Sequence, residues 1–158
     1  MPIEKSAGAV VFYRAPEGKI EYLLIENGLN KYWGFPKGWI GESENLETAA
    51  LREVGEETGL KDLKLIDGFK ETVRYFLKAK YDYQIEHGFK KGQTILKFVT
   101  YFLGESSTRN VKLSFEHNNF VWLEFKDAYK KLSSYSHKQN AEILKKGHDF
   151  LTQHFLSS

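Results

Sequence analysis

The chain has 158 residues, 41% hydrophobic and 15% aromatic, which is enough apolar material for one domain spanning 1–158 with a full core. Twenty-three basic against 21 acidic residues leave a formal charge of +2, which excludes unselective binding to nucleic acid through bulk charge; no DNA partner is expected. With no cysteine, disulfides, thiolate nucleophiles and zinc–thiolate sites are excluded together.

The start, MPIEKSAGAVVFYR, lacks the uninterrupted apolar core of a signal peptide, and no run reaches the roughly 18 residues of a membrane span. The expected location is the cytoplasm. Lys5 to Arg14 and Glu21 to Asn27 are β-rich runs separated by Ala15-Pro16-Glu17-Gly18, which predicts a first hairpin. After Trp33-Gly34-Phe35, Pro36-Lys37-Gly38 opens a punctuated loop that runs to about Ser43. A helix follows, with Leu46, Ala50, Leu51 and Val54 as its apolar side and Gly59 as its C-terminal cap. Leu63 to Lys78 and Thr94 to Glu105 predict two more strands, joined by the polar, tyrosine-rich stretch 79–93, whose length fits a binding loop or lid. Phe120 to Phe125 reads as another strand and Ala141 to Phe155 as a closing helix, weakened by Gly147. The order β-β-loop-α-β-β-β-α predicts an α+β fold, a mixed sheet with helices on it, without repeats.

Glu53, Glu56 and Glu57 stack on one side of the first helix. Like-charged pairs at that spacing cost roughly 0.2–0.5 kcal/mol each, and no lysine one turn away on that face neutralises them. A solvated helix face is the bland account; a cage for a hard cation explains the crowding better. Adjacent oxygen ligands suit Mg²⁺ or Mn²⁺, and magnesium completes its shell with water and substrate phosphates, which points to polyphosphate chemistry. Lys37 supplies a positive charge beside this patch, Gly38 and Gly41 allow close backbone approach, and Arg52 is placed to orient Glu53.

These residues resemble the signature of the Nudix hydrolases: Gly, five residues, Glu, seven residues, Arg-Glu, an aliphatic residue, one residue, Glu-Glu, one residue, Gly and an aliphatic residue. Gly38, Glu44, Arg52, Glu53, Val54, Glu56, Glu57, Gly59 and Leu60 fall in those places. The resemblance implies an α/β/α sandwich and divalent-metal hydrolysis of a nucleoside diphosphate linked to another group.

Outside the signature the chain is similar to the asymmetrical diadenosine tetraphosphate hydrolases. The likeness lies in Ser6 to Val11, Trp33 to Gly38, Gly68 to Tyr75, Lys97 to Leu103, Glu116 to Trp122 and Gly147 to Leu151. It departs in the longer stretch 79–93, at the nucleotide end of the site. The activity implied is cleavage of diadenosine tetraphosphate into ATP and AMP by a metal-activated water attacking phosphorus. Glu53 is the expected base within a catalytic set of Glu44, Arg52, Glu53 and Glu57. The expected metal ligands are Glu53, Glu56, Glu57, Glu116 and the Gly38 carbonyl. Lys37, Arg74, Tyr75 and Lys97 are the expected phosphate contacts, and Tyr32, Phe76, Tyr81, Tyr83 and Phe120 the expected adenine platforms. His117 is a further substrate-binding candidate, with a structural hydrogen bond as its alternative; His148 is expected to be structural. Two other functions compete: removal of pyrophosphate from a triphosphorylated RNA 5′ end, and nucleotide sensing without cleavage. A monomer or weak homodimer is expected.

Overall fold

The computed structural model describes residues 1–135 and 138–154. β1 (Ile3–Arg14) turns through Ala15–Gly18 into β2 (Ile20–Asn27), as predicted, with the Gly18 N–H donating to the Ala15 carbonyl at 2.8 Å. Two short strands follow, the second of them where a loop was predicted. β3 (Trp33–Gly34) pairs with β2, and β4 (Lys37–Trp39) lies antiparallel to β1. Asn45 caps α1 (Leu46–Thr58) by accepting from the Thr48 N–H at 2.8 Å, and Gly59, at φ 75°, ends it in the left-handed conformation that favours glycine.

The predicted strand Leu63 to Lys78 is divided. β5 (Lys64–Leu65) and β6 (Glu71–Lys78) are separated by a turn at Asp67-Gly68, where φ is 95° at the glycine. The stretch 79–93 contains a short helix, α2 (Asp82–Glu86), before β7 (Thr94–Ser106). β8 (His117–Glu124) begins earlier than predicted and stops before Phe125, which opens an unpredicted helix, α3 (Phe125–Ser133). Its apolar positions Phe125, Ala128 and Leu132 have helical spacing, a short signal masked by three lysines. α4 (Gln139–His154) is the closing helix; Phe155 lies outside the described residues. No described helix is long and apolar enough to cross a membrane.

β1 and β7 run parallel from the Ile3/Leu96 pair to Tyr13/Ser106, while the other pairings are antiparallel, so the sheet is mixed. One face packs Ala7, Ala9 and Val11 against Ala49, Ala50 and Val54 of α1. Leu51, predicted to join that apolar side, is 38% exposed, and Ala49 is buried instead. The other face packs Val10, Phe12, Tyr22 and Leu103 against Leu132, Leu144 and Leu151 of α3 and α4. The result is the α/β/α sandwich expected of this fold.

Directly paired residues share a sheet face. Glu4 and Ser6 therefore stand beside Lys97 and Val99 on the α4 face, with Tyr75 next to Lys97 and Trp39 next to Ser6. α1 lies on the opposite face, and β4 is where the two come together.

Candidate active site

Gly38 lies over α1, and its pairing with Ala7 turns it towards that helix. A Cβ there would overlap the Glu53 carboxylate, so only glycine lets the strand pass this close. One residue earlier, the Lys37 N–H donates to Glu57 Oε2 at 3.0 Å. Strand and helix thus hold each other through the residues that were expected to do the chemistry.

Arg52 is the hub of the carboxylates. It donates from Nε and Nη2 to both oxygens of Glu44 at 2.7 and 2.9 Å, from Nη1 to Glu53 Oε1 at 2.8 Å, and to Glu56 at 3.1–3.2 Å. Nη2 also donates to the Trp39 carbonyl at 2.9 Å, which ties the hub to β4. The glutamate patch is therefore not left uncompensated: its cation is an arginine within the helix rather than a lysine one turn away. Glu44 also accepts from the Gly41 N–H at 2.7 Å. These hydrogen bonds, from Arg52 first, hold its carboxyl down at about 2. Glu44 is thus bound into the hub as an ionised anchor.

Burial raises the Glu53 carboxyl, opposed by Arg52 and reinforced by Glu56 and Glu116. Glu57 is 8% exposed, and burial pushes it up to about 8 against the pull of Lys37. Glu116 adds to both through its charge. It is brought there by the segment before β8, in which the Ser114 N–H donates to the Glu57 carbonyl at 3.0 Å and the Lys112 N–H to the Thr58 carbonyl at 2.8 Å. His117 is half-buried with Ser114 Oγ 3.4 Å from Nδ1, and burial together with Lys37 lowers its pKa.

Among the described residues, no three acidic or histidine side chains already converge as a ready-made metal-ligand set. In this conformation Arg52 holds Glu53 and Glu56, while β4 holds Glu57. The donor set nevertheless fits a hard divalent cation. It is all oxygen and partly buried, and burial, reinforced by the charges of Glu53 and Glu116, drives Glu57 towards its neutral form.

The α4 face of the sheet continues the site. Lys97 is 7% exposed, with Nζ 2.5 Å from Oε1 of Glu4, which is itself 5% exposed. Tyr75 flanks Lys97, and burial raises its phenol. The Trp39 indole packs against Tyr83, His87 and Phe89 of the 79–93 stretch, with centroid distances of 5.7, 3.5 and 6.4 Å, and Tyr81 stacks on Tyr83. This stretch is therefore folded onto β4, beside Gly38. Arg74 and Phe76 do not join Tyr75. The period of a strand turns both to the α1 face, where they are exposed, so Arg74 and Tyr75, both expected at the phosphate, lie on opposite faces of β6. Tyr32 is 49% exposed with its ring against Tyr135, and Phe120 is 41% exposed opposite Ile25 on β8. His148 is structural: it stacks on Phe125 and its Nδ1 lies 2.7 Å from the Tyr22 hydroxyl.

Sequence reasoning missed Glu4 and Trp39. Glu4 had a signal, since it is the acidic member of an otherwise small or apolar alternate row, Glu4-Ser6-Gly8-Val10-Phe12. Trp39 had none, because its partners come from 79–93.

Known proteins share this architecture over most of its length. The asymmetrical bis(5′-nucleosyl)-tetraphosphatase of Mus musculus is 31% identical over 158 residues, spanning 93% of this chain and 95% of that protein. A solved binary complex of the C. elegans Ap4A hydrolase superposes with a TM-score of 0.75 at 31% identity, covering 95% of this chain and 98% of that one. An RNA pyrophosphohydrolase of Bartonella bacilliformis is 32% identical, but over 68% of this chain and 66% of its own length. The family model for the NUDIX domain matches residues 4–146, and on that extent of agreement the chain belongs to the NUDIX family.

Proposed function

We propose that this chain, acting as one domain, hydrolyses dinucleoside polyphosphates and splits diadenosine tetraphosphate into ATP and AMP. The observation that carries the reading is the likeness to the mouse tetraphosphatase over 95% of that protein, which takes in Tyr75 and Lys97 as well as the signature. The RNA pyrophosphohydrolase reading is second, because that likeness leaves about a third of each chain unmatched.

A divalent cation, magnesium or manganese, would be held by Glu53, Glu56, Glu57, Glu116 and the Gly38 carbonyl, and would acidify a bound water and offset phosphate charge. Glu53 is the base. Arg52 engages its Oε1 and so orients the carboxylate towards the attacking water. Arg52 and Glu44 keep that carboxylate in register with β4. Lys37 and Tyr75 contact the polyphosphate, and the aromatic rings of 79–93 offer an apolar wall at its nucleotide end. The cytoplasm is the proposed location, the default for a chain with no membrane-crossing helix among the described residues.

The test is turnover with Mg²⁺ of a panel comprising diadenosine tetraphosphate, a nucleoside triphosphate, a nucleotide sugar and triphosphorylated RNA. Preferential release of ATP and AMP from the first supports the reading, and preferential release of pyrophosphate from the RNA replaces it with the second. Hydrolysis in ¹⁸O-water locates the phosphorus attacked.

A further inference from the structure

Glu4 stands where the face of β1 changes from apolar to polar. Its register partner on β7 is Lys97, both are more than nine-tenths buried, and Tyr75 of β6 completes the row. Tyr83 of α2 approaches from outside the sheet. Among the charges acting on its phenol Glu4 is the largest, and Trp39 holds the ring in place at 5.7 Å. Lys97 in turn lies in the field of Lys37, which is anchored to Glu57. The pair thus sits at the inner end of the same face that carries Lys37.

Stability does not explain this pair. Desolvating two charges costs about as much as their attraction returns unless further hydrogen bonds satisfy the remaining lone pairs. Among the described residues the Glu4 carboxylate is met by Lys97, and no hydrogen bond reaches the neighbouring Ser6 Oγ. The clear consequence is electrostatic, because a lysine on the sheet face that carries Lys37 has its charge offset by a carboxylate built into the adjacent strand.

We propose that Glu4 is a specificity-determining residue that offsets the charge of Lys97 and so limits how much anionic phosphate this end of the Lys37 face accepts. The inference rests on the polyphosphate reading above. It assigns the site a preference for a four-phosphate chain over longer, more highly charged ones.

The experiment compares wild type with Glu4→Gln, which removes the charge at nearly constant volume. Glu4→Ala serves as a second variant in case a buried amide disturbs folding. Hydrolysis of dinucleoside tetra-, penta- and hexaphosphates is measured with Mg²⁺, and binding of inorganic tripolyphosphate is measured separately by calorimetry without metal. Removing the charge beside Lys97 is expected to lower KM for the hexaphosphate relative to the tetraphosphate by about tenfold, with a smaller change in kcat. Tripolyphosphate affinity should rise by about the same factor, and the double variant Glu4→Gln/Lys97→Met should lose the gain. Folded single variants with unchanged chain-length preference and unchanged tripolyphosphate affinity overturn the proposal, even if their melting temperatures shift. If wild type cleaves no dinucleoside polyphosphate while tripolyphosphate still binds more tightly to Glu4→Gln, the role of Glu4 is supported and the substrate reading falls.

Discussion

The Lys37 N–H donates to Glu57 Oε2 across 3.0 Å, joining β4 to the last turn of α1 at the most buried carboxylate of the signature. One bond does two jobs. It fixes the separation of strand and helix, and it supplies Glu57 with a donor that keeps part of its ionised character in a site that otherwise opposes charge.

Gly38→Ala tests the closeness of that contact. The added methyl overlaps the Glu53 carboxylate, and relieving such an overlap costs about 1–3 kcal/mol. Urea denaturation should show a loss of that size, and turnover should fall more than stability alone explains, because Glu53 is displaced. An alanine variant with unaltered stability and rate shows that the strand is not held against the helix in this way.

Glu57 makes stability depend on pH. Its folded pKa of about 8 lies above the ordinary carboxylate value of 4.5, so the stabilisation by its neutral form is complete below about 4.5 and is lost as pH rises through about 8. Metal-free protein should therefore lose thermal stability between pH 5 and 8, and Glu57→Gln should flatten that decline. Mg²⁺ or Mn²⁺ should raise the melting temperature of wild type more at pH 8 than at pH 6, where protons compete for the carboxylate. A metal-induced shift of equal size at both pH values in wild type contradicts this role.

Arg52→Lys should not rescue the loss caused by Arg52→Ala. The guanidinium serves Glu44, Glu53, Glu56 and the Trp39 carbonyl at once from three nitrogens, whereas an ammonium has its three donors on one nitrogen and cannot span them. Since Arg52 orients other groups, kcat should drop about 10–100-fold, the range seen when supporting partners of metal ligands are lost. Steady-state kinetics of the two variants decide it. A lysine variant with near wild-type kcat indicates that only the charge matters.

Lys97→Ala should destabilise the protein by about 3–5 kcal/mol, because Glu4 is left buried without its cation. Adding Glu4→Gln to it should recover most of that loss. Chemical denaturation of the single and double variants measures both. No change in the single variant indicates that water reaches Glu4 when Lys97 is removed.

What the amino-acid order determined by itself is the local part of the molecule. The hairpin through Ala15–Gly18, the α1 cap at Gly59 and the grouping of Gly38, Glu44, Arg52 and three glutamates are each set within a few residues by turn chemistry and helical period. The same local rule of alternation places Arg74 and Tyr75 on opposite faces of β6. Tertiary structure decided the rest. Glu4 meets Lys97 only because β1 and β7 run parallel in that register, Trp39 meets Tyr83 only because 79–93 folds onto β4, and Glu116 reaches the carboxylates only because Ser114 and Lys112 bond to the end of α1. Contacts of that kind depend on strand pairing and docking between distant segments, which no short window of sequence contains. They also determine the charge each glutamate and lysine feels, since burial and neighbours, rather than residue type, move Glu57 up to about 8 and hold Glu44 down at about 2.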